Sequence, residues 1–203
     1  MIRARLMSVL VAAALGAAFV TGTAAAASAQ PTETSVSPAA VVTLTYDASR
    51  AGTWAAAITQ AVQNWNSSVH NVQLVPASSR RTANFLYVAT SGWPQTTLGP
   101  IRPGGRQGEV ELGQEAVAEG YDATRITAHE TGHIFGLLDD YSGPCSELMS
   151  GHGPGTSCTN AMPDAAEIAQ VDANYASATV AQARSPQVVV DVWRPAPVGA
   201  GSR

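Results

Sequence analysis

The run 127–139, TAHETGHIFGLLD, constrains this chain more than any other part of its sequence. It contains His129 and His133, and residues four apart lie on one face of a helix. Their imidazoles can therefore bind one metal ion, with Glu130 beside it as the general base for a metal-activated water. Gly136 is placed where a helix can end in a left-handed turn, which glycine adopts without strain.

That turn returns Asp139 towards the two histidines, so the pattern predicts a third ligand for zinc. Three protein ligands with one open position are typical of a catalytic zinc site, whereas four ligands close a structural site. Two alternatives stay open at this point. His152 is a candidate third ligand in place of Asp139, and a closed site would take His152 or Asp140 as its fourth ligand.

The run 139–151, DDYSGPCSELMSG, resembles the corresponding run of the snapalysins, small secreted neutral zinc endopeptidases related to metzincins. The resemblance covers residues 41–175 and is densest over residues 120–160. It departs from the family at Asp140, where histidine is usual. The resemblance implies a metzincin-like zinc-peptidase domain that cleaves within polypeptide chains and favours an aromatic residue just after the scissile bond.

The resemblance also implies roles for individual positions. These are the third zinc ligand (Asp139), a tyrosine that steadies the transition state (Tyr141), a methionine on a tight turn beneath the metal (Met149), one disulfide (Cys145 with Cys158) and a calcium site (Asp122 and Thr124). Asp122 is also placed to cap the N-terminus of the active-site helix, so capping and calcium binding are both open interpretations.

Composition limits the class of protein. A chain of 203 residues with 45% hydrophobic residues is long enough for one domain with a proper core. Its positive charges are scattered arginines and its formal net charge is −4, which argues against a nucleic-acid partner. The two cysteines suit a single disulfide in an oxidising compartment; free thiols or metal ligands are the alternatives.

The N-terminus has the pattern of a secretory signal peptide over residues 1–29. Arg3 and Arg5 precede the apolar run 6–20, and Ala-Ser-Ala at 27–29 is a small-x-small cleavage site. We therefore expect a secreted, extracellular protein with no membrane association after cleavage; an uncleaved anchor is the alternative. Residues 30–40, rich in Pro, Ser and Thr, are expected to form a linker or short pro-segment.

Residues 41–176 are expected to form one α+β domain, a twisted mixed β-sheet with an active-site helix, a backing helix and a C-terminal helix. Apolar residues at helical spacing mark the backing helix (Trp54, Ile58, Val62, Trp65) and a last helix opened by Pro163 (Ile168, Val171, Tyr175). Strands are predicted at 41–46, 72–75, 85–88 and 107–112.

The tail 177–203 lies beyond the resemblance and has no assigned role. Residues 187–193 are expected to form a strand or dock on the domain, and residues 195–203 are expected to be disordered. The chain has no heptad or large apolar helix that would indicate an oligomer, so a monomer is expected.

These features favour a zinc endopeptidase acting on protein or peptide substrates. An extended peptide would add as a strand to a sheet edge, for which 107–112 is the candidate. A secreted binding module with structural zinc, an inactive peptide-binding relative, and a metal-dependent amidase or exopeptidase are the alternatives. The intact Glu130 argues against the inactive relative.

Overall fold

The computed structural model describes residues 40–177 and 187–194, all within one compact unit, Ser37–Arg203. The predicted signal peptide and residues 195–203 lie outside the described residues. The strands are β1 (Val42–Arg50), β2 (Val72–Pro76), β3 (Phe85–Thr90), β4 (Gln95–Thr97), β5 (Gly108–Gly113) and β6 (Val188–Val190). The helices are α1 (Ala55–Ser68), α2 (Gln114–Ala118), α3 (Ala123–Ile134) and α4 (Ala165–Tyr175).

The strands form one mixed sheet in the order β2-β1-β3-β5-β4-β6. Strands β2, β1, β3 and β5 pair in parallel, and β4 runs antiparallel to both β5 and β6. The α+β class and the mixed sheet are therefore confirmed. The prediction that 107–112 is the substrate edge is wrong, because β5 lies inside the sheet between β3 and β4. Strand β4, which pairs with β5 on that side, is only three residues long and polar. Its sequence therefore shows no hydrophobic periodicity that would predict a strand.

Helix α1 is the predicted backing helix. Its aromatic and aliphatic stripe, Trp54, Ile58, Val62 and Trp65, is buried in the core. The indole Nε1 of Trp65 also donates a hydrogen bond to the Ala128 carbonyl at 2.9 Å, which ties α1 to α3. The stripe therefore packs the core, as predicted, and supports the helix that carries the two histidines.

Helix α3 begins where the sequence predicts. The Asp122 side chain is its N-cap and accepts a hydrogen bond from the Arg125 amide at 2.8 Å. This satisfies one of the amides that a helix start leaves unpaired, so the capping interpretation of Asp122 is confirmed.

Helix α3 ends in the predicted left-handed turn. Gly136 has φ +92°, its amide donates to the His133 carbonyl at 2.9 Å, and the Leu137 amide donates to Gly132 at 3.1 Å. This is the hydrogen-bond pattern of a Schellman motif. It reverses the chain directly after the second histidine and brings residue 139 back towards α3.

We expect Gly136→Ala to destabilise the protein by about 2–4 kcal/mol, because two costs add at this position. A side chain is strained at positive φ, and a Cβ here would lie 2.9 Å from the Pro100 ring. Urea denaturation measures the loss. Gly104→Ala is the matched control, since Gly104 has φ +72° but open space around the added Cβ. Equal losses in both variants would contradict a role for close packing at Gly136.

The last helix, α4, starts two residues later than predicted. Asp164, not Pro163, precedes it and forms a capping box with Glu167. The tail residues 187–193 do form a strand and pack on the domain, as expected, with Asp191 and Trp193 fully buried. No helix within 40–177 or 187–194 is long and apolar enough to cross a membrane.

Candidate metal centre

Four side chains converge where α3 faces the turn after Gly136. One potential ligand atom from each of His129, His133, Asp139 and Asp191 lies within 4.8 Å of the other three. Within the described part of the chain, this is the one such group of three or more His, Cys, Asp or Glu residues. The structure thus brings together the three predicted ligands and adds a fourth residue from the tail.

The distances leave a common centre between the four groups. Oδ1 of Asp139 lies 3.1 Å from Nε2 of His129 and 3.4 Å from Nε2 of His133. Oδ2 of Asp191 lies 3.1 Å from each of the same two nitrogens. Oδ1 of Asp139 is buried yet has no properly directed hydrogen bond among the described residues. A buried carboxylate oxygen without a hydrogen bond, beside two imidazoles, fits a cation ligand.

The contact made by the other ring nitrogen, Nδ1, of each histidine supports the same interpretation. Nδ1 of His129 lies 3.1 Å from the Leu148 carbonyl, and Nδ1 of His133 lies 2.9 Å from the Leu137 carbonyl. A carbonyl only accepts, so each Nδ1 carries the proton, and Nε2 is the atom left to bind a metal. Two nitrogens and carboxylate oxygens are a donor set that zinc prefers. The residues present therefore fit zinc.

Protons and zinc compete for this site. Burial lowers the pKa of His129, but contacts with Asp139 and Asp191 outweigh it and raise that pKa to about 9 in the metal-free chain. The pKa of His133 is likewise raised well above its usual value, against burial, by the same two carboxylates. Zinc binding must displace a proton from Nε2 of each ring, so zinc affinity will fall as the pH is lowered.

Glu130 is fully buried beside the four groups. Its Oε2 accepts a hydrogen bond from the buried Thr96 hydroxyl at 2.7 Å, and its Oε1 has no hydrogen-bond partner among the described residues. Burial, followed by the charge of Asp191, raises the pKa of Glu130 to about 8. Thr96 therefore fixes the orientation of the Glu130 carboxylate through one of its two oxygens. Thr96 lies on β4, which the sequence analysis missed.

Tyr141 reaches the same centre from the loop that follows Asp139. Its hydroxyl donates a short hydrogen bond to Oδ1 of Asp191, and burial together with that carboxylate raises the pKa of Tyr141 above its usual value. The Tyr141 ring stacks on His152, with centroids 4.3 Å apart. His152 is outside the converging group, and so is Asp140, whose carboxylate accepts from the Ser142 hydroxyl. Neither alternative ligand reaches the centre.

Met149 lies in a single 3-10 turn, Leu148–Ser150, packed against α3. A Cβ added at Gly132 would lie 2.6 Å from the Met149 sulfur, which explains the glycine inside the helix. The Glu167 carboxylate accepts hydrogen bonds from the Leu148 and Met149 amides at 3.1 and 2.6 Å. The turn is thus held between α3 and α4, directly beside the carbonyl that orients His129.

The loop that carries this turn has two further constraints. Cys145 and Cys158 form the disulfide that the resemblance implies. Arg125 is fully buried and donates hydrogen bonds to four loop residues. Its partners are the carbonyls of Glu147, Gly151 and Asn160 and the hydroxyl of Ser150. The sequence analysis missed Arg125, although its position four residues before His129 places it on the same buried face of the helix.

The structure gives no second metal-binding group at the predicted calcium site. Asp122 caps α3, and no further cluster of three His, Cys, Asp or Glu residues forms in the described ranges. Calcium at Asp122 and Thr124 stays a prediction.

Residues 41–178 match the family model described as the Streptomyces extracellular neutral proteinase (M7) family, and the chain belongs to this family. The extracellular small neutral protease of Streptomyces coelicolor is 45% identical over 139 residues, which cover 68% of this chain and 62% of that protein. That of Streptomyces sp. (strain C5) is 47% identical over 138 residues, covering 68% and 58%. The chain thus spans about three fifths of the length of these two relatives.

A shorter relative is covered almost completely. The extracellular small neutral protease of Streptomyces caespitosus is 46% identical over 140 residues, 67% of this chain and 98% of that protein. Among solved structures, the zinc-protease hatching enzyme HCE-1 of the medaka Oryzias latipes matches with a TM-score of 0.37 and 22% identity, over 49% of this chain and 46% of that one.

Asp191, like Thr96 and Arg125, was not predicted from the sequence as a functional residue. The family match ends at residue 178, so the resemblance could not point to it. Its position as the one acid in the run 187–194, QVVVDVWR, was the available signal.

Proposed function

We propose that this chain is a secreted zinc endopeptidase that cleaves protein or peptide substrates. The observation that carries the proposal is the convergence of His129, His133 and Asp139 around one centre, with Glu130 buried beside it. Membership of the M7 family supports it, as do relatives whose names describe extracellular proteases. The signal-peptide pattern of residues 1–29 supports secretion.

His129, His133 and Asp139 would hold the zinc ion. Zinc bound there supplies a Lewis acid that lowers the pKa of a water molecule and polarises the scissile carbonyl. Glu130 accepts the proton from the attacking water and returns it to the leaving amine. Burial and the charge of Asp191 raise the pKa of Glu130, which makes its carboxylate a stronger base towards that proton.

Tyr141 is proposed to donate its hydroxyl hydrogen to the oxyanion that develops on the substrate carbonyl. Its hydroxyl already donates to a carboxylate oxygen at the centre, so it is within reach of an anionic oxygen there. The substrate main chain is proposed to pair with β4, the strand that carries Thr96 to Glu130, along the edge that pairs with β6 in this structure. This replaces the wrongly predicted edge at β5.

The preference for an aromatic residue after the scissile bond is a proposal taken from the resemblance. The buried Trp193 supports this proposal, because its own aromatic ring fits beside the centre. Its ring centroid lies 5.1 Å from that of Tyr121 and 5.2 Å from that of His129. A monomer stays a prediction.

One observation favours a second candidate, a closed structural zinc site. Asp191 supplies the fourth ligand that such a site requires, although neither His152 nor Asp140 does. A structural site would bind zinc and cleave nothing.

Removal of zinc tests the proposal. The purified chain and its Asp191→Ala variant are each assayed on casein, with zinc counted per chain, before and after treatment with a chelator. We expect about one zinc per chain, loss of cleavage on chelation, and recovery when zinc but not magnesium is returned. Internal cleavage of casein separates an endopeptidase from an exopeptidase or amidase. Full zinc occupancy with no cleavage by either protein would overturn the proposal in favour of the structural site.

Thr96→Val should lower kcat roughly tenfold, because it removes the hydrogen bond that orients Glu130. That hydrogen bond also lowers the pKa of Glu130, so its loss should move the acidic limb of the kcat profile to higher pH. Thr96→Ser keeps the hydroxyl and should restore both the rate and the profile. A slower Thr96→Val enzyme with an unshifted profile would mean that Thr96 acts only through packing.

A further inference from the structure

The C-terminal segment 187–194 adds a strand to the sheet at the edge nearest the metal centre. β6 pairs antiparallel with β4, so that Thr96 faces Val189. The main-chain contacts continue past the strand at both ends: the Leu98 amide donates to the Gln187 carbonyl, and the Asp191 amide donates to the Pro94 carbonyl, each at 2.9 Å. An extended segment that adds to a sheet edge is the geometry by which a peptide substrate binds.

The Asp191 side chain then occupies the position at the centre that the three predicted ligands leave open. It is fully buried, and its Oδ2 lies 3.1 Å from Nε2 of both His129 and His133. Its Oδ1 accepts the hydrogen bond of Tyr141. Two groups are proposed to receive the substrate carbonyl, the metal site and the Tyr141 hydroxyl. The Asp191 carboxylate therefore contacts both of them.

Only one face of the segment is anchored. Asp191 and Trp193 are 0% exposed, whereas Val188, Val190 and Val192 are 56%, 55% and 42% exposed. The inward side chains contact residues of the site, since the Trp193 ring packs edge-on against Tyr121 and His129. The outward valines bury little apolar surface, so the inward side chains provide most of the hydrophobic stabilisation of the segment.

The segment also lies outside the part of the chain that matches the family. The family match covers residues 41–178 and stops before β6 begins. The four proposed catalytic and zinc-binding groups all lie within that match, with His129, Glu130 and His133 on α3 and Asp139 after the turn that follows it. Residues 187–194 therefore supply none of these four groups.

We propose that segment 187–194 is an intramolecular occupant of the substrate site, with Asp191 as a fourth zinc ligand that keeps the zinc-loaded chain latent. The inference rests on the proposed function. Release of the segment, by displacement or by cleavage before Gln187, opens the fourth ligand position and the β4 edge together. A tethered segment at an effective concentration of about 1 mM excludes substrate even when its own affinity is modest.

The test compares the full chain with Asp191→Ala and with Val192→Ala, the matched control whose side chain points outward from the same segment. Zinc affinity is measured by competition with a chromogenic chelator, and kcat/KM with an internally quenched peptide. Asp191→Ala should hold zinc at least about tenfold more weakly, because it loses one direct ligand, and should cleave at least about tenfold faster. Val192→Ala should match the wild type in both.

The two readouts separate the possible failures. Unchanged zinc affinity in Asp191→Ala overturns the assignment of Asp191 as a ligand. Weaker zinc binding with slower cleavage overturns latency and makes Asp191 a required part of the working site. If neither the wild type nor any variant cleaves while zinc is bound, the proposed function fails. The zinc affinities then still decide, independently of cleavage, whether Asp191 is a zinc ligand.

A synthetic peptide, QVVVDVWR, provides a test that does not depend on folding of a variant. Added to Asp191→Ala, it should inhibit competitively against the quenched substrate, and the peptide QVVVNVWR should inhibit at least about tenfold less well. Equal inhibition by the two peptides, or none by either, would contradict occupancy of the site through the aspartate.

Discussion

Glu130→Gln should lower kcat for peptide cleavage by about 10²–10⁴-fold while zinc stays bound. Glutamine keeps the size of the side chain and can still accept the Thr96 hydrogen bond, but it cannot take a proton from water. Because Glu130 is not among the four converging ligand groups, the zinc content should not change. The comparison is best made in the Asp191→Ala background, where the proposed latency does not mask the rate.

The matched control is Glu115→Gln, which makes the same chemical change at an exposed position on α2. It should leave both kcat and the zinc content unaltered. Zinc analysis and single-turnover rates are measured on the same samples. A Glu130→Gln enzyme that keeps its zinc and more than a tenth of the rate would remove Glu130 from the role of general base.

Arg125→Leu should destabilise the protein by about 3–5 kcal/mol, the largest stability effect expected of a single substitution here. The guanidinium donates to the carbonyls of Gly151 and Asn160 and to the Ser150 hydroxyl, all in the loop that carries the Met149 turn. Leucine fills part of the volume but leaves several buried acceptors without donors, each at a cost of about 1–3 kcal/mol.

Chemical denaturation of the zinc-free protein measures this loss without a contribution from metal binding. The exposed Arg106 is the control, and Arg106→Leu should change stability by less than about 0.5 kcal/mol. Zinc affinity should fall together with stability in Arg125→Leu, since the same loop supplies the Leu148 carbonyl that orients His129. A loss below about 1 kcal/mol would show that water replaces the guanidinium at these carbonyls.

The local features of the site could be predicted because short-range geometry dictates them. A four-residue spacing on a helix places His129 and His133 side by side, and a glycine turn after the helix returns Asp139. The burial of α1 followed from its apolar period for the same reason. The fold class and the positions of the four predicted strands, β1, β2, β3 and β5, were accessible from similar local patterns.

The residues that were missed act through contacts between distant parts of the chain. Thr96 reaches Glu130 from a strand of three polar residues that is defined only by its pairing with β5 and β6. Arg125 has the spacing of a buried residue, but its partners lie 22 to 35 residues further along the chain. Neither set of partners can be identified from periodicity.

The sequence by itself determined the metal-binding helix, its turn and the family to which the chain belongs, because these depend on residues within a few positions of one another. The tertiary structure alone decided what occupies the fourth position at the centre. Asp191 lies 62 residues from His129, and only the antiparallel pairing of β6 with β4 brings its carboxylate to the two imidazoles. Main-chain hydrogen bonds can pair strands of any sequence, and the three consecutive valines of β6 carry no apolar–polar alternation, so residue types alone did not reveal its partner or register.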